Sequence, residues 1–486
     1  MVKMKYYLIK ESPEIPLKSW RTRPKFEKAL LRAIEQALKN SEAKYTLKYS
    51  QGVFFLEVDR DVGRPLTRVF GVHDVCEVVP YRFNSIEDIA SRAEDFFKDT
   101  VANKKFAVRV KRYGNHSFTS MDVARAVGSK LLKYSSGVDL KSPDVEVKIE
   151  IREEFAYYVL SCWKGMGGLP VGTEGRALVM FSGGFDSSLA YVLSSKRGIQ
   201  ADFLHYYMGS AEATASAIEV AKKLAELSLP YEPSLTVVNF VPILSEIREK
   251  VSSRLRQVVL RVVMHEVGQA LAERYGYDAL ITGESIGQTS SQTLKNIKVV
   301  DYFVRPRVAL LRPLSGADKE EIVNRVREIG LYDYVVKVEE VCRLSEGPVE
   351  TKARIEDVEA ALALLSKDTI EGVVQNAKTY RVVDAVPSTI LREIGADIEV
   401  DEVPEGWILV DIRSKERFDY EHIPGAIHVS ELREVPDSPV VLYCDYGSAS
   451  LLSAIEMRKA GVKAYSLRGG FIGYRKRSRK IECEKA

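Results

Sequence analysis

Hydrophobic and polar residues alternate at short spacings along the first 60 residues. The stretch KYYLIK at 5–10 predicts a strand, because neighbouring side chains of a strand point to opposite faces of a sheet. Residues 24–40, PKFEKALLRAIEQALKN, have apolar side chains at the three- and four-residue spacing of an amphipathic helix. Residues 43–58 return to the strand pattern twice, so this part of the chain is predicted to fold as a small α+β domain.

A similar alternation with longer elements continues over residues 61–165. Two stretches have the spacing of helices and three that of strands: SIEDIASRAEDFFKD and SMDVARAVGSKLLKY, then KKFAVRVKR, VEVKIEIR and EFAYYVLS. We therefore expect a second α+β domain at 61–165, after a first domain at 1–60 whose element order is that of a ferredoxin-like fold. The glycine-rich stretch GMGGLPVGTEG then predicts a linker at 166–175.

Strands and helices alternate regularly from residue 176 to about residue 390. This order is typical of a doubly wound parallel sheet, in which crossover helices cover both faces. Its first strand, RALVMF at 176–181, is almost continuously apolar, as expected in a sheet that is buried on both sides. A smaller α/β domain is predicted at 400–486, beginning with the strand WILVDIR. The chain is thus predicted to be a multidomain protein of α/β and α+β class.

Composition limits the setting in which such a chain works. Its 486 residues, 45% of them hydrophobic, are enough to form several hydrophobic cores. The net charge of +3 is too small to make the whole protein a polycation, so any contact with nucleic acid must come from a local basic cluster. No run of about 18 apolar residues occurs and the N-terminus lacks the apolar stretch of a signal peptide, so no membrane anchor is expected. The chain has five cysteines: Cys76, Cys162, Cys342, Cys444 and Cys483. Because they include no CxxC pair, we expect neither a zinc site nor a disulfide framework, and a reducing cytoplasm is the favoured setting.

The turn SGGFDS at 182–187 follows the strand RALVMF and leads into a helical pattern. A strand-to-helix turn of this kind points backbone N–H groups at an anion, and its glycines allow a phosphate to approach the backbone closely. The residues alone leave a second interpretation open, an ordinary turn in which Ser182 or Asp186 caps the helix. Four residues are candidates for a pyrophosphate cradle: Ser182, Gly183, Gly184 and Ser187.

This turn matches the SGGxDS signature of the PP-loop ATP pyrophosphatases, enzymes that adenylate an oxygen of their substrate and release pyrophosphate. A second segment, TGESIGQTSSQT at 282–293, closely resembles a segment of the tRNA 4-thiouridine synthetases, the ThiI family. Further stretches have counterparts in that family or resemble its THUMP domain: GGLPVG, RPLSGADKEEI and PVETKA, then KKFAVRVKRYGNHSF and GSKLL. The resemblance covers nearly the whole chain.

The resemblance implies an ATP-dependent tRNA sulfurtransferase that adenylates uridine O4, at position 8 in this family, and replaces AMP with persulfide sulfur to give 4-thiouridine. Asp186 would be the carboxylate needed for adenylation, acting through Mg²⁺, and Lys319 a required cation that stabilises the charge developing on the phosphates. Arg261 would bind the nucleotide, and Gly283 and Gln292 would line its adenine and ribose. The residues by themselves also allow Lys319 to be a solvated charge at a helix start and Arg261 to be a core-edge arginine.

Cys444 follows the apolar strand VVLY and precedes a tight loop and a helix. Backbone N–H groups of such a loop stabilise an anionic sulfur, as persulfide chemistry requires. The nearby stretches DIRSKERFDYEHIPGAIHV and LRGGF resemble the rhodanese-like sulfurtransferase domain, whose loop is commonly CxxGxR. Here Ala449 stands in place of the arginine and Asp445 adds a negative charge, so a protein-bound persulfide is expected as the donor rather than thiosulfate.

Cys342, in VEEVCRLSEG, is predicted to lie on a loop. Basic and acidic neighbours oppose each other there, so local charge does not decide whether its thiol is reactive. The family match implies that Cys342 relays the sulfur or resolves the intermediate as a Cys342–Cys444 disulfide, and which cysteine attacks is left open. Cys76 and Cys162 alternate with apolar strand positions and are predicted to be core residues.

Residues 104–133 carry five lysines and three arginines against the single acidic residue Asp122. Aromatic residues lie among them, and a basic, aromatic strand, turn and helix can hold phosphates and stack unpaired bases. By resemblance to THUMP domains this cluster would bind the acceptor end of a tRNA, whereas the residues alone also allow a solvated basic face. The candidate RNA-binding residues are Lys105, Arg109, Lys111, Arg112 and Lys130.

The remaining expectations concern partners and competing functions. The sulfur donor would be a cysteine desulfurase or another persulfide or sulfide source, and a cytoplasmic homodimer is expected. The TGESIGQTSSQT segment speaks against a different PP-loop tRNA-modifying enzyme, such as a lysidine synthetase or a 2-thiouridylase, and a THUMP-bearing methyltransferase would need a GxGxG loop. Asp186 and Lys319 disfavour a non-adenylating persulfide carrier, although a second role as sulfur carrier for thiamine thiazole synthesis fits the family.

Overall fold

The computed structural model describes most of the chain, namely residues 4–304, 306–338, 348–395, 398–432, 438–475 and 477. By their internal contacts these residues form two compact units, Met1–Thr173 with Lys196–Gly198, and Glu174–Ser195 with Ile199–Ala486. Within the described ranges, no helix is both long enough and apolar enough to cross a membrane.

The first unit is built on one continuous sheet. Its strands are β1 (Lys5–Glu11), β2 (Tyr45–Ser50), β3 (Val53–Val58), β4 (Val72–Arg82), β5 (Lys105–Tyr113), β6 (Gly137–Val138), β7 (Val145–Arg152) and β8 (Phe155–Lys164). Its helices are α1 (Arg23–Asn40), α2 (Gly63–Thr67), α3 (Ile86–Val101) and α4 (Ser120–Leu132). The strand order is β2-β3-β1-β4-β8-β7-β5-β6. Because β4 pairs with β1 on one side and β8 on the other, the two predicted α+β patterns share a sheet.

Cys76 and Cys162 are directly opposite each other on the antiparallel strands β4 and β8, and a disulfide joins them. Cys76 is a core residue as predicted, whereas Cys162 is exposed and the prediction for it is wrong. The absence of a disulfide, expected from the missing CxxC pair, is also wrong. The two cysteines are 86 residues apart, so only the register of β4 against β8 reveals the pair.

The second unit begins with a six-stranded sheet. Its strands are β9 (Arg176–Met180), β10 (Gln200–Tyr207), β11 (Ser234–Asn239), β12 (Ala279–Ile281), β13 (Ala309–Leu311) and β14 (Lys378–Arg381). Its helices are α5 (Phe185–Ser195), α6 (Ala211–Ala225), α7 (Val241–Lys250), α8 (Arg256–Arg274), α9 (Leu294–Phe303), α10 (Lys319–Glu328), α11 (Tyr332–Val335), α12 (Ile355–Leu362), α13 (Lys367–Gln375) and α14 (Pro387–Glu393). The order is β13-β12-β9-β10-β11-β14.

This sheet is parallel except at one edge, where β14 pairs antiparallel with β11. Helices cover both of its faces, as two consecutive residues of β10 show. Phe203 stacks on Tyr191 of α5, with ring centroids 4.3 Å apart, while Leu204 packs into the cluster that α7 and α8 form on the other side. The predicted doubly wound α/β domain is confirmed, and the carboxyl ends of its parallel strands form the edge where such sheets bind ligands.

A third sheet, of five parallel strands, completes the second unit. It consists of β15 (Glu399–Val400), β16 (Ile408–Asp411), β17 (Ile427–His428), β18 (Val440–Tyr443) and β19 (Ala464–Leu467), in the order β15-β19-β18-β16-β17. Two helices accompany it, α15 (Lys415–Tyr420) and α16 (Ser448–Lys459). All of its strand pairs are parallel, as predicted for a small α/β domain.

Candidate active site

The SGGFDS turn lies between the end of β9 and the start of α5, at the carboxyl edge of the six-stranded sheet. Gly183 has φ +83°, and a Cβ there would lie 2.7 Å from the Cα of Ala217 in α6, so only glycine fits. The backbone N–H of Ser182 donates to the hydroxyl of Ser187 over 3.3 Å, and that of Gly184 donates to the hydroxyl of Ser182 over 3.3 Å. The two serines therefore fix the conformation of the turn through hydrogen bonds to its own backbone.

Asp186, in the first turn of α5, meets Lys319, the first residue of α10. The ammonium of Lys319 lies 3.1 Å from Oδ1 and 3.3 Å from Oδ2 of Asp186. Asp318 and Glu321 form a capping box that fixes the start of α10 and with it the base of the lysine side chain. The structure thus brings together the two residues predicted to carry adenylation.

Gln288 is a site residue that the sequence analysis missed. Its Nε2 donates to Oδ2 of Asp186 over 2.9 Å, so the carboxylate is held by an amide as well as by Lys319. Gly283, predicted to line the nucleotide, packs against the turn: a Cβ there would lie 2.8 Å from the backbone of Asp186 and Ser187. The segment 283–293 therefore lies directly against the SGGFDS turn, and the run of polar residues that follows Gly287 was the available signal for Gln288.

Glu284 is a second residue that was missed, and it anchors the same segment. Its side chain is 5% exposed, and its two oxygens lie 2.7 Å from Nη1 of Arg261 and 2.8 Å from Nε of Arg312. Burial alone would raise the pKa of Glu284, but the interaction with His265, 3.5 Å away, and the charges of Arg261 and Arg312 hold that pKa well below its ordinary value. A buried carboxylate is therefore kept ionised beside the candidate nucleotide site.

Arg261 and Gln292, both predicted to bind the nucleotide, brace this segment from two sides. Nε of Arg261 donates to the hydroxyl of Ser291 over 3.0 Å, in addition to its ion pair with Glu284. Oε1 of Gln292 accepts from the backbone N–H of Ser285 over 3.3 Å. These side-chain contacts hold the segment in one conformation, and a segment held in this way loses less entropy on binding.

Cys444 lies immediately after β18 with its side chain inside the loop that leads to α16. Its Sγ accepts from the backbone N–H of Gly447 over 3.2 Å and lies 3.6 Å from the hydroxyl of Ser450. Gly447 has φ +88°, and a Cβ at Gly470 would lie 2.2 Å from the carbonyl oxygen of Cys444, so both positions require glycine. The loop therefore holds the donors that stabilise a thiolate or a persulfide.

The negative charge of Asp445 beside this sulfur is balanced by two arginines outside the loop. Arg417 in α15 forms an ion pair with Asp445, and Nη1 of Arg413 lies 3.6 Å from it. These residues, with Tyr420 and Phe471, line an open groove of about 270 Å³. Arg417 thus offsets the charge of Asp445, while Arg413 is shared between Asp445 and the buried carboxylate of Asp411, 2.7 Å away.

The five-stranded sheet is joined to the six-stranded sheet by a buried polar contact. The hydroxyl of Tyr207, at the end of β10, donates to the carboxylate of Glu399 in β15. Arg468, which follows β19, pairs with Asp401 at 2.8 Å and with Glu212 of α6 at 3.4 Å. Burial raises the pKa of Glu399 to about 7 against the opposing effects of Tyr207 and Arg468. The loop of Cys444 and the sheet that carries Asp186 are therefore parts of one compact unit.

The five candidate RNA-binding residues lie on β5 and α4 in the first unit. Lys105 and Lys111 are exposed, and their side chains form no hydrogen bond or ion pair with the described residues. Arg109 pairs with Glu146 at 3.2 Å, Lys130 with Glu87 at 2.7 Å, and Arg112 donates to the carbonyl of Gly114 over 2.9 Å: these three cations are already engaged.

Cys342 lies outside the described residues, so its predicted loop and its pairing with Cys444 stay predictions. Cys483 and most of the basic run near the C-terminus also lie outside the described residues. Cys444 is the only free cysteine among the residues that the structure describes, and it is buried.

Four family models match the chain in succession. They are the ThiI ferredoxin-like domain at residues 6–76, the THUMP domain at 83–160, the thiamine biosynthesis protein (ThiI) at 172–366 and the rhodanese-like domain at 396–477. Together they account for both units of the fold and for the two sites, one around Asp186 and one around Cys444.

Relatives and a solved structure match over most of the chain. A protein named tRNA sulfurtransferase from Desulfurococcus amylolyticus is 43% identical over 97% of this chain and 98% of its own length. One of the same name from Pyrobaculum aerophilum is 36% identical over 94% of this chain and 95% of its own. The crystal structure of a 4-thiouridine synthetase–RNA complex with bound ATP is 26% identical, with a TM-score of 0.67, and the match covers 78% of this chain and 99% of that one.

Proposed function

This chain belongs to the tRNA sulfurtransferase family, and we propose that it uses ATP to replace O4 of a tRNA uridine with sulfur, giving 4-thiouridine. The resemblance to the ThiI family that the sequence predicts is confirmed. The observation that carries the proposal is the meeting of Asp186 and Lys319 beside the SGGFDS turn in a chain that matches tRNA sulfurtransferases along nearly its whole length.

In the first step, O4 of the uridine attacks the α-phosphorus of ATP, and pyrophosphate leaves with the electron pair of the broken P–O bond. The N–H groups of the SGGFDS turn and the helix α5 N-terminus hold the phosphates, and the ammonium of Lys319 stabilises the charge that develops on them. Adenylation turns O4, a poor leaving group, into AMP, a good one. The N3 proton of the uracil is released to solvent and returns in the product.

Asp186 is suited to hold a magnesium ion that ATP brings with it. Mg²⁺ in such sites is bound by one or two carboxylates together with phosphate oxygens and water rather than by a protein cage. Asp186 is partly exposed and lies at the turn, and the described residues include no cluster of three acidic, histidine or cysteine side chains that could form a cage instead. When bound, the ion would neutralise phosphate charge and orient the pyrophosphate for departure.

In the second step, the terminal sulfur of a Cys444 persulfide attacks C4 and AMP leaves. The S–S bond is then broken by a second thiolate, which we assign to Cys342, so that the sulfur stays on the uracil and the two cysteines form a disulfide. A thiol reductant must supply two electrons before the next turnover. The persulfide on Cys444 comes from a cysteine desulfurase or another protein that carries a persulfide. The thiolate of Cys444 attacks the outer sulfur of that persulfide, and the donor's cysteine leaves as a thiolate.

The substrate is a tRNA held by the first unit, through the basic cluster on β5 and α4. We expect the reaction to take place in the cytoplasm and the enzyme to be a homodimer, which sedimentation of the purified protein would test. The expected modification is at position 8 of the tRNA.

The test is mass spectrometry of nucleosides from unmodified tRNA after incubation with ATP, Mg²⁺ and a persulfide donor. We expect 4-thiouridine together with stoichiometric AMP and pyrophosphate. Absence of 4-thiouridine with a donor that loads Cys444 would reject the proposed reaction. A different thiolated or aminated nucleoside would favour another PP-loop enzyme.

A second role as a persulfide carrier for thiamine thiazole synthesis is favoured by one observation, the match to the model named thiamine biosynthesis protein. This role needs Cys444 and its loop but not adenylation. Asp186→Asn should therefore still restore growth without added thiamine to a strain that lacks its own carrier, while Cys444→Ala should not. Growth with Cys444→Ala would exclude the carrier role.

A further inference from the structure

The loop that joins β1 to α1, residues 12–22, exposes a tryptophan that no part of the proposed reaction uses. We name it the tryptophan loop. Trp20 is 79% exposed and Leu17 is 85% exposed. A tryptophan side chain carries about 150–250 Å² of surface, most of it apolar, and one left in water contributes little to the stability of the fold. Its exposure points to a function outside the core.

The tryptophan loop is fixed by a buried side chain and by backbone hydrogen bonds. Ile15, near its centre, is fully buried and anchors the loop in the domain. Successive backbone bonds close its turns, from the N–H of Lys18 to the carbonyl of Ile15 over 3.1 Å and from the N–H of Thr22 to the carbonyl of Ser19 over 2.9 Å. A rigid loop presents its aromatic ring at a low entropic cost for binding.

The tryptophan loop and the start of α1 are rich in basic residues. Between Glu14 and Glu27 the chain has no acidic residue but four basic ones: Lys18, Arg21, Arg23 and Lys25. Arg23 is engaged by Glu27 at 2.5 Å, whereas the guanidinium of Arg21 lies over the Trp20 ring, 5.0 Å from its centroid, and pairs with no carboxylate in the described part of the chain. An arginine stacked beside an exposed indole is an arrangement that accepts a nucleic-acid base and its phosphate.

We propose that the tryptophan loop is a second RNA-contact site, in which the indole of Trp20 stacks on an unpaired base of the tRNA and Arg21 contacts the adjoining phosphates. It lies outside residues 83–160, which match the THUMP model, and outside the basic cluster on β5 and α4. In the sheet, four strand spacings separate β1 from β5, about 19 Å, so the two sites contact different segments of one RNA. The proposal rests on the proposed function in that the RNA is the tRNA substrate.

Fluorescence provides a direct test, because the chain has only three tryptophans. A Trp163→Phe, Trp407→Phe variant keeps Trp20 as its single indole and leaves the loop untouched. We expect unmodified tRNA to quench this fluorescence saturably, over the same concentrations at which a labelled tRNA binds. Binding of the tRNA with no change in fluorescence would overturn the proposal, because a base stacked on an indole quenches it.

Substitutions in the parent chain give the second test. Trp20→Ala should weaken tRNA binding about tenfold or more, the effect of losing one base–aromatic stack, and Trp20→Phe should retain most of the affinity. Arg21→Ala should lower the slope of log affinity against log salt by about one, and Arg21→Lys should restore it. Tyr302→Ala, which removes another exposed aromatic residue that is 63% exposed, is the matched control and should change nothing.

Two further outcomes separate this proposal from the proposed function. A parent protein that binds tRNA with quenching but forms no 4-thiouridine leaves the RNA contact standing and rejects the reaction. A parent that forms 4-thiouridine while Trp20→Ala binds tRNA as tightly as Trp20→Phe rejects the RNA contact and leaves the reaction standing. Since Trp20 is exposed, we expect all four loop variants to melt within a few degrees of the parent.

Discussion

The ammonium nitrogen of Lys319 lies 3.1 Å from Oδ1 of Asp186, although 133 residues separate the two in the chain. Two independent helix N-termini produce this contact, since Asp186 is in the first turn of α5 and Lys319 opens α10. Both N-termini carry a partial positive charge that attracts phosphate. The pair therefore lies where we propose that the triphosphate of ATP is held, and in that proposal Lys319 exchanges its carboxylate partner for a phosphate oxygen.

Asp186→Asn should lower the rate of tRNA-dependent pyrophosphate release about 100-fold or more, a typical cost of losing one charged group that acts on the transition state. Affinity for tRNA should stay within about twofold, because we propose that the first unit holds most of the RNA. The measurement is a coupled pyrophosphate assay beside a binding titration. Glu320→Gln, an exposed neighbour of Lys319, is the matched control. Normal pyrophosphate release by Asp186→Asn would remove Asp186 from the catalytic machinery.

Glu284→Gln should destabilise the second unit by about 3 kcal/mol, because it leaves Arg261 and Arg312 without their shared buried anion. It should also weaken ATP binding, since the segment 283–293 depends on the same ion pairs. Chemical denaturation monitored by circular dichroism, compared with the exposed control Glu320→Gln, measures the first effect. Equal stability of the two variants would mean that the network contributes nothing to the fold.

The sequence predicted the order of helices and strands well because amphipathic periodicity is a local property. The turn SGGFDS, the capped start of α10 at Lys319 and the strand before Cys444 are each read from fewer than about 20 neighbouring residues. The resemblance to the ThiI family supplied the roles of Asp186 and Lys319. Their approach in space is what the structure adds.

The features that the sequence analysis missed all depend on contacts between elements that are far apart in the sequence. Glu284 becomes a buried anion only when α8 and the loop after β13 bring Arg261 and Arg312 to it. Cys162 pairs with Cys76 only in the register of β8 against β4. Such contacts are set by tertiary packing, which has no signature in local periodicity.

Lys111→Glu should weaken tRNA binding and lower the logarithmic salt slope by about one, because this exposed lysine forms no ion pair that could otherwise occupy it. Lys130→Glu should have a smaller effect, since Lys130 is paired with Glu87 at 2.7 Å. Lys48→Glu, on β2 near the other edge of the same sheet, controls for net charge. Titrations of tRNA binding at several salt concentrations measure the affinity and the salt slope of each variant. An unchanged slope for Lys111→Glu would make the basic cluster a solvated face.

Glu399→Gln should stabilise the protein at alkaline pH and leave it unchanged near pH 4.5. The pKa of Glu399 is raised from 4.5 to about 7 in the folded protein, so the folded state binds more protons than the unfolded state between these values. Stability of the parent therefore falls as pH rises from about 4.5 to 7, by about 3 kcal/mol, and stays low above it. Glutamine is neutral throughout and can still accept from Tyr207.

Thermal melts of parent and Glu399→Gln from pH 5 to 8 measure this difference. We expect the two midpoints to diverge steadily up to about pH 7 and then to run parallel. Glu402→Gln, at an exposed acidic residue of the same segment, should follow the parent at every pH. Parallel melts of parent and Glu399→Gln across the whole range would show that the buried carboxylate is not protonated in the folded protein.

Cys444→Ala should adenylate tRNA at the parent's rate yet form no 4-thiouridine from a persulfide-carrying protein, because Cys444 and Asp186 belong to separate sheets. Free sulfide at high concentration should partly restore the product by attacking C4 directly. Adenylation is measured by pyrophosphate release and thiolation by nucleoside mass spectrometry. A protein donor that yields 4-thiouridine with Cys444→Ala would place the persulfide on another residue.

Cys342→Ala should also adenylate, but it should stop after one sulfur transfer or turn over slowly, because no thiolate is left to break the persulfide bond of Cys444. The parent, quenched after a single turnover without reductant, should contain a Cys342–Cys444 disulfide that intact-protein and peptide mass spectrometry detect as a loss of two hydrogens. The separate Cys76–Cys162 disulfide is removed from the comparison by a Cys76→Ser, Cys162→Ser background. If the crosslink is absent and Cys342→Ala keeps full activity over many turnovers, Cys444 is the only cysteine that handles sulfur.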